Sequence, residues 1–175
     1  SITGAISSVK YRNGKFQYKT IGDQPPVGIC GTGVIDMIAE GLKHGWIEET
    51  GALVEPFADG IVEIAREAKN PIVFTQKDIR EFQLAKSAIR AGIESLLLEY
   101  GCSYEDVEEV YLAGGFGSHM NISNTVAIGM IPKEFEYKVQ AVGNSSLGGA
   151  VLYLLHKDRT NQMKAMIEKQ KDINL

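Results

Sequence analysis

Three glycine-rich segments carry the residue types in this chain that are best suited to binding a ligand. They read GICGTG at 28–33, LAGGFGS at 112–118 and AVGNSSLGGA at 141–150, and each precedes a helix-like pattern. A helix N-terminus exposes unpaired N–H groups and a partial positive charge, which suits a phosphate. Glycine also lets the backbone approach a ligand closely. Any tight turn between a strand and a helix favours the same residues, so a ligand site and a structural corner both stay open.

The number of these corners and the order of their glycines narrow the choice. Adjacent strands of an open α/β sheet end at one crevice where ligands bind, so three corners in one small domain bring a shared ligand site and a purely structural role nearer to equal. In the first corner the candidate ligand residues are Gly31, Thr32 and Gly33. Its G-x-x-G-x-G order differs from G-x-G-x-x-G, and no G-K-[ST] follows a glycine run, which argues against Rossmann and P-loop sites.

A lysine and a glutamine on the longest predicted helix are further candidates. Lys86 stands seven residues from both Ile79 and Ile93, so it shares their apolar face, and Gln83 lies one turn before it. A lysine in such a position either extends its amine to solvent or meets an anion. If the glycine corners face this helix, Gln83 and Lys86 would border a nucleotide.

The carboxylates and cysteines give weaker evidence for a functional site than the glycine corners do. Asp36 and Glu40 are typical of solvated helix positions. Cys30 lies at a predicted helix start, which can lower the pKa of a thiol, but the role of a small buried hydrophobic residue is favoured for it. Cys30 and Cys102 are far apart and the three histidines are scattered. The pattern therefore predicts no metal ligands and no catalytic constellation.

Alternating strands and helices must position these residues. Asn13-Gly14 lies between two alternating segments, which predicts a β-hairpin over 4–20 with a type I′ turn. Short strands are predicted within 46–75, a region that could be a β-rich insertion. A strand, a short helix, a strand and two helices are predicted after residue 105. This order predicts an α/β domain with a mixed sheet.

Helix signals are strongest around two segments. A helix should follow the first corner and stop at Gly41 or Gly45, and a longer one should run from a capping box at Thr75 to Gly101. Apolar side chains near the C-terminus are predicted to be core, namely Leu152, Tyr153, Leu154 and Leu155.

Length and composition fit one soluble domain over 1–175. The chain is 44% apolar and 23% charged, with a net charge of −4, so no basic field favours nucleic acid or an anionic membrane. No apolar run approaches the roughly 20 residues that span a bilayer, and no secretory signal is present. We expect a cytoplasmic protein with reduced thiols and with neither a nucleic acid nor a membrane as partner.

Four blocks of the chain resemble a known family. They read KTIGDQPPVGICGTGVIDMIAEGL, FTQKDIREFQLAKSAIRAGI, VYLAGGFGSHMNISNTVAIGMIP and VGNSSLGGA, in that order. Together they are similar to the C-terminal region of corrinoid-protein reductive activators, which belong to the superfamily of acetate and sugar kinases, Hsp70 and actin. The resemblance implies a ribonuclease H-like, actin-like ATPase subdomain, with a mixed sheet flanked by helices and an N-terminal β-hairpin.

The same resemblance implies a function for the parent protein. Such activators use ATP with Mg²⁺ and electrons from a [2Fe–2S] cluster to return an inactive Co(II) corrinoid protein to Co(I), and they are expected to be homodimers. The corrinoid protein of an anaerobic methyl-transfer system is the expected client. A Gly-Gly turn after a strand contacts the adenosine in this superfamily, which corresponds here to Gly114, Gly115, Phe116 and Gly117. Gln83 and Lys86 correspond to a helix that borders the adenine.

The chain departs from the family pattern in two ways. It has no D-x-G-[TS] phosphate loop and no ferredoxin cysteines. We therefore expect a C-terminal piece of the ATPase domain that carries the adenosine side of the cleft and is not catalytically complete alone. Two alternatives stay open: a dimerisation or client-docking module without nucleotide binding, and half of another superfamily ATPase or kinase.

Overall fold

The computed structural model describes residues 2–65, 68, 71–115 and 117–173. Strands and helices alternate along much of the chain. In order they are β1 (Ala5–Arg12), β2 (Lys15–Thr20), β3 (Gly28–Ile29), α1 (Gly31–His44), β4 (Ile61–Ala65), β5 (Ile72–Thr75), α2 (Gln76–Tyr100), β6 (Val110–Ala113), α3 (Ile122–Ala127), β7 (Val139–Gly143), α4 (Ser145–Leu155) and α5 (Thr160–Lys169).

The N-terminal hairpin belongs to a mixed three-stranded sheet. β1 pairs with β2 in antiparallel fashion and, at its other edge, with β3 in parallel. Asn13 and Gly14 have φ angles of 51° and 73°, which confirms the predicted type I′ turn. The short parallel pairing with β3 places Gly28 and Ile29, at the start of the first glycine corner, beside Ala5 and Ile6 of β1.

The remaining strands form two separate pairs. β4 and β5 are antiparallel and lie within the segment 46–75 that was predicted to contain strands. β6 and β7 are parallel, with Leu112 opposite Ala141. The second and third glycine corners therefore leave the same edge of one sheet, because each follows one of these two parallel strands.

Both principal helices begin and end at local signals. Thr75 Oγ1 accepts the N–H of Asp78 while the Asp78 carboxylate accepts the N–H of Thr75, which confirms the capping box. Gly101 ends α2 with a φ of 75°, and Gly45 ends α1 in the same left-handed conformation. Gly41 instead lies inside α1, where a Cβ would be 2.4 Å from Ile47 Cδ1.

The core lies between β1, α1, the β4–β5 pair and the first turn of α2. Its most deeply buried side chains include Ile6, Ile35, Met37, Trp46, Val62, Phe74 and Ile79. Trp46 also contacts an aromatic cluster formed by Tyr11, Phe16 and Phe57. This core holds α1 against the hairpin, and so it positions the first glycine corner.

The prediction that the apolar stripe of α4 is core is wrong for this chain. Leu152, Leu154 and Leu155 are 52%, 72% and 72% exposed. Within the described residues, α4 packs mainly against the short turn that follows it, so periodicity identified the helix but not a partner for its face. The stripe of α2 behaves similarly, since Ile79 is buried whereas Leu96 is 57% exposed.

Candidate functional site

The first glycine corner fixes the N-terminus of α1 against β1. The N–H of Cys30 donates to the carbonyl oxygen of Ile6 over 2.9 Å, and the hydroxyl of Thr32 donates to the carbonyl oxygen of Ser7 over 2.8 Å. The start of α1, with the N–H groups of its first turn, is thereby held beside β1. A helix start placed in this way can accept an anionic or polar group of a ligand.

Gly33 has a packing role in this corner. An ideal Cβ at this position would lie 2.4 Å from the carbonyl oxygen of Ile6 and 2.8 Å from Cγ1 of Ile29. Only glycine therefore permits the observed approach of α1 to β1. Its direct contact with a ligand stays a prediction.

The second glycine corner turns sharply after β6. Gly114 has a φ of 92°, and its N–H donates to the carbonyl oxygen of Gly143 over 2.6 Å. This bond joins the second corner to the third, which follows β7. At Gly117 a Cβ would be 2.9 Å from Cβ of Leu112, so this glycine allows the turn to fold back on its strand. Phe116 lies outside the described residues.

The first and second corners meet at one cavity of about 850 Å³. Its volume is in the range of small-molecule and cofactor sites. Three parts of the chain contribute to its walls, namely β1 with the turn after β2, the start of α1, and the second corner. The described lining residues are Ser7, Ser8, Ile21, Gly22, Cys30, Gly31, Thr32, Gly115 and His119.

Gln83 and Lys86 lie beside a different cavity. They line it together with Ile38 and Leu42 of α1, further along that helix than Gly31 and Thr32. The side chain of Gln83 donates to the carbonyl oxygen of Thr50 over 3.1 Å. The structure therefore joins Gly31, Thr32 and Gly115 in one cavity and places the two α2 residues elsewhere.

The thiol of Cys30 faces competing influences at the cavity wall. Desolvation by burial raises its pKa, but a hydrogen bond with the Thr32 hydroxyl and hydrogen bonds with the backbone of Thr32 and Gly33 outweigh that effect. The pKa of Cys30 therefore lies below its ordinary value. Its Sγ is 3.2 Å from the Thr32 oxygen. The helix start thus stabilises negative charge at the position where the cavity begins.

Sequence reasoning missed the importance of two carboxylates on α1. Asp36 and Glu40 were expected to be solvated, but only 6% and 8% of their surface is exposed. Asp36 accepts the backbone N–H of Val9 and Glu40 accepts that of Tyr11, so both pair with the edge of β1. The four-residue spacing that they share with Thr32 could have indicated one polar face turned toward a strand edge.

The described residues include no group of three or more histidine, cysteine, aspartate or glutamate side chains that could hold a metal ion. Nor does any helix in the described ranges have both the length and the apolar character needed to cross a membrane.

Comparison with known proteins defines the class first. Residues 1–175 match the family described as the C-terminal domain of RACo, the ASKHA domain. The chain therefore belongs to this family, and its fold is that of an actin-like ASKHA domain. A solved structure titled "Reductive activator for corrinoid,iron-sulfur protein" is similar with a TM-score of 0.84 and 34% identity, over 96% of this chain and 29% of that one.

Curated relatives are also activators of corrinoid proteins. The chain is 36% identical over 184 residues to the corrinoid activation enzyme RamQ of Eubacterium limosum, covering 94% of this chain and 31% of that protein. It is 34% identical over 143 residues to the [Co(II) methylated amine-specific corrinoid protein] reductase of Methanosarcina barkeri, covering 82% and 25%. The chain thus spans between a quarter and a third of the length of these relatives.

Proposed function

We propose that this chain forms the nucleotide-binding part of an activator that supports ATP-dependent reduction of a corrinoid protein from Co(II) to Co(I). One relative is named for corrinoid activation and another for reducing a Co(II) corrinoid protein. The observation on this chain that most supports the proposal is the cavity between the first two glycine corners. There Gly31 and Thr32 face the same space as Gly115.

The two walls suit different parts of ATP or ADP. Gly115 has open space where a Cβ would stand, so a flat adenosine can approach the backbone of the second corner. The start of α1 offers the N–H groups of its first turn to a polar or charged group. We assign the adenosine to the glycine turn and a ribose or phosphate oxygen to the α1 wall.

Mg²⁺ and an iron–sulfur cluster are the two inorganic cofactors that the parent protein is expected to use. Two cysteines are fewer than the four ligands that a [2Fe–2S] cluster requires, so this chain does not fit the cluster and we assign no electron-transfer step to it. The described residues include no group of three or more metal-ligating side chains that could hold a metal ion, and we propose that phosphate loops elsewhere in the parent protein hold Mg²⁺. A cytoplasmic location would keep both thiols reduced.

An ADP titration of the full-length protein tests the proposal. A ligand at one hundred times its Kd should stabilise the protein by about 2.7 kcal/mol in a thermal melt. Gly115→Val should abolish the shift, because Gly115 has an ordinary φ and the new side chain would enter the cavity. Gly92→Val is the matched control, since Gly92 also has free space around it but lies on α2. No shift with the wild type, or equal shifts for both variants, would contradict the proposal.

The exposed apolar face of α4 supports a second role, homodimerisation. Leu154 and Leu155 are both 72% exposed, and they lie on a helix that carries no acidic or basic residue. We propose that a second copy covers this face in the parent protein. Light scattering should then show a dimer that Leu154→Asp converts to a monomer, and a dimer that persists in the variant would exclude this face.

The names of the relatives favour an activator over a sugar or acetate kinase.

A further inference from the structure

Asp36 connects three structural elements, β1, α1 and α3, beside the cavity between the first two glycine corners. Its Oδ2 accepts the backbone N–H of Val9 in β1 over 3.1 Å, and its Oδ1 accepts the side-chain amide of Asn124 in α3 over 2.7 Å. The carboxylate itself belongs to α1. A single side chain of α1 is therefore hydrogen-bonded to both β1 and α3.

Each of these elements leads directly to a wall of the cavity. β1 reaches it at Ser7 and Ser8, and α1 reaches it at Gly31 and Thr32. α3 follows the second corner, whose residues Gly115 and His119 form the opposite wall. The α1 and α3 helices pack against one another at this point.

Burial makes both hydrogen bonds of Asp36 difficult to replace. Asp36 is only 6% exposed, so water cannot readily replace either partner if the carboxylate is altered. An ionised carboxylate accepts at both oxygens, and both of its partners here are N–H donors. Asparagine at position 36 would keep both bonds only if the Asn124 amide turned over, whereas alanine would keep neither.

We infer that Asp36 is a positioning residue that sets the separation between the first and second glycine corners and thereby the affinity for nucleotide. The inference rests on the proposed nucleotide site. Asp36 does not line the cavity, so it acts through Val9 and Asn124 rather than by touching the ligand. Loss of either bond frees one wall to move relative to the other.

An exchange of the two polar side chains provides the test. Asp36→Ala removes both acceptors, and Asn124→Asp alone places two carboxylates in contact. In the double variant Asp36→Asn/Asn124→Asp the amide oxygen at position 36 can accept from Val9, while its NH₂ donates to the carboxylate at position 124. Each single variant of the full-length protein should raise the Kd for ADP about tenfold, because binding must then restore a separation of the walls that the lost bond had held. The double variant should restore most of the affinity.

Glu40→Ala is the matched control. Glu40 is equally buried, one turn along α1, and accepts the N–H of Tyr11 over 2.7 Å, but it lies away from the cavity. This variant should lower the melting temperature as Asp36→Ala does and leave the Kd for ADP unchanged. Equal losses of affinity in both variants, or no recovery in the double variant, would overturn the inference.

A second readout separates this inference from the proposed function. Absence of ADP binding in the wild type would overturn the nucleotide site itself. The rate at which a maleimide modifies the peptide containing Cys30, measured by mass spectrometry, reports on the cavity wall without nucleotide. Asp36→Ala should change this rate severalfold and Glu40→Ala should not. Identical rates in the two variants would show that Asp36 does not position the wall.

Discussion

Asp36 and Asn124 are 88 positions apart in the chain, and a hydrogen bond of 2.7 Å joins Oδ1 of the first to Nδ2 of the second. The bond lies where α1, α3 and β1 meet, and Val9 completes it from the strand. It links α1, which begins at the first glycine corner, to α3, which follows the second. The stability and the geometry of the candidate site therefore depend on the same carboxylate.

Asp36→Ala should lower the free energy of unfolding by about 3 kcal/mol. The substitution leaves the buried N–H of Val9 and the half-buried amide of Asn124 without their acceptor, and a buried unpaired donor costs roughly 1–3 kcal/mol. Urea unfolding followed by the fluorescence of Trp46 measures the change. Glu81→Ala is the control, because Glu81 pairs with Lys77 only at the surface and should shift stability by less than about 0.5 kcal/mol. Similar losses in both variants would argue against a special role for Asp36.

Two glycine-to-alanine substitutions should have opposite signs. Gly33→Ala should destabilise the protein by about 1–3 kcal/mol, because the new Cβ would collide with the backbone of Ile6 and force α1 away from β1. Gly92→Ala should stabilise it by about 0.5–1 kcal/mol, since this glycine lies inside α2 with free space around it. The same urea experiment applies to both. A neutral Gly33→Ala variant would mean that α1 does not need this close approach.

Removal of the α2 cap should cost about 1 kcal/mol. Thr75→Ala deletes the hydroxyl that accepts the N–H of Asp78 at the start of the helix. Thr75→Ser retains that oxygen and should keep nearly all of the stability. Thermal melts followed by far-ultraviolet circular dichroism compare the two. Equal melting temperatures for the alanine and serine variants would show that the cap does not stabilise the helix.

The reactivity of Cys30 should depend on Thr32. Burial raises the pKa of the thiol, but hydrogen bonds with the Thr32 hydroxyl and with the backbone of the first helical turn lower it by more, so the thiolate forms at a lower pH than that of an ordinary cysteine. Thr32→Val removes one of these hydrogen bonds and should move the pKa of Cys30 upward. The pH dependence of iodoacetamide reaction, followed on the peptide that contains Cys30, measures this shift. A pH profile with the same midpoint in both proteins would contradict the assignment.

Much of the local structure could be predicted from the sequence. The Asn13-Gly14 turn, the Thr75 capping box and the glycine that ends α2 all depend on residues within a few positions of one another. Their conformations follow from the φ angles that each residue type tolerates and from side chains that reach the nearest backbone groups. The three glycine corners were evident for the same reason. The four family blocks extended this local information to the fold class, which the comparisons confirmed.

Tertiary structure decided which of these local features meet. Packing of α1 on the hairpin brought the first corner to the second, buried Asp36 against the edge of β1, and placed Gln83 and Lys86 beside another cavity. The same packing left the apolar face of α4 exposed, although its periodicity is that of a core helix. Periodicity shows which side of an element is apolar but not what lies opposite it. The sequence thus determined the elements and their corners, whereas contacts between distant segments determined the candidate site.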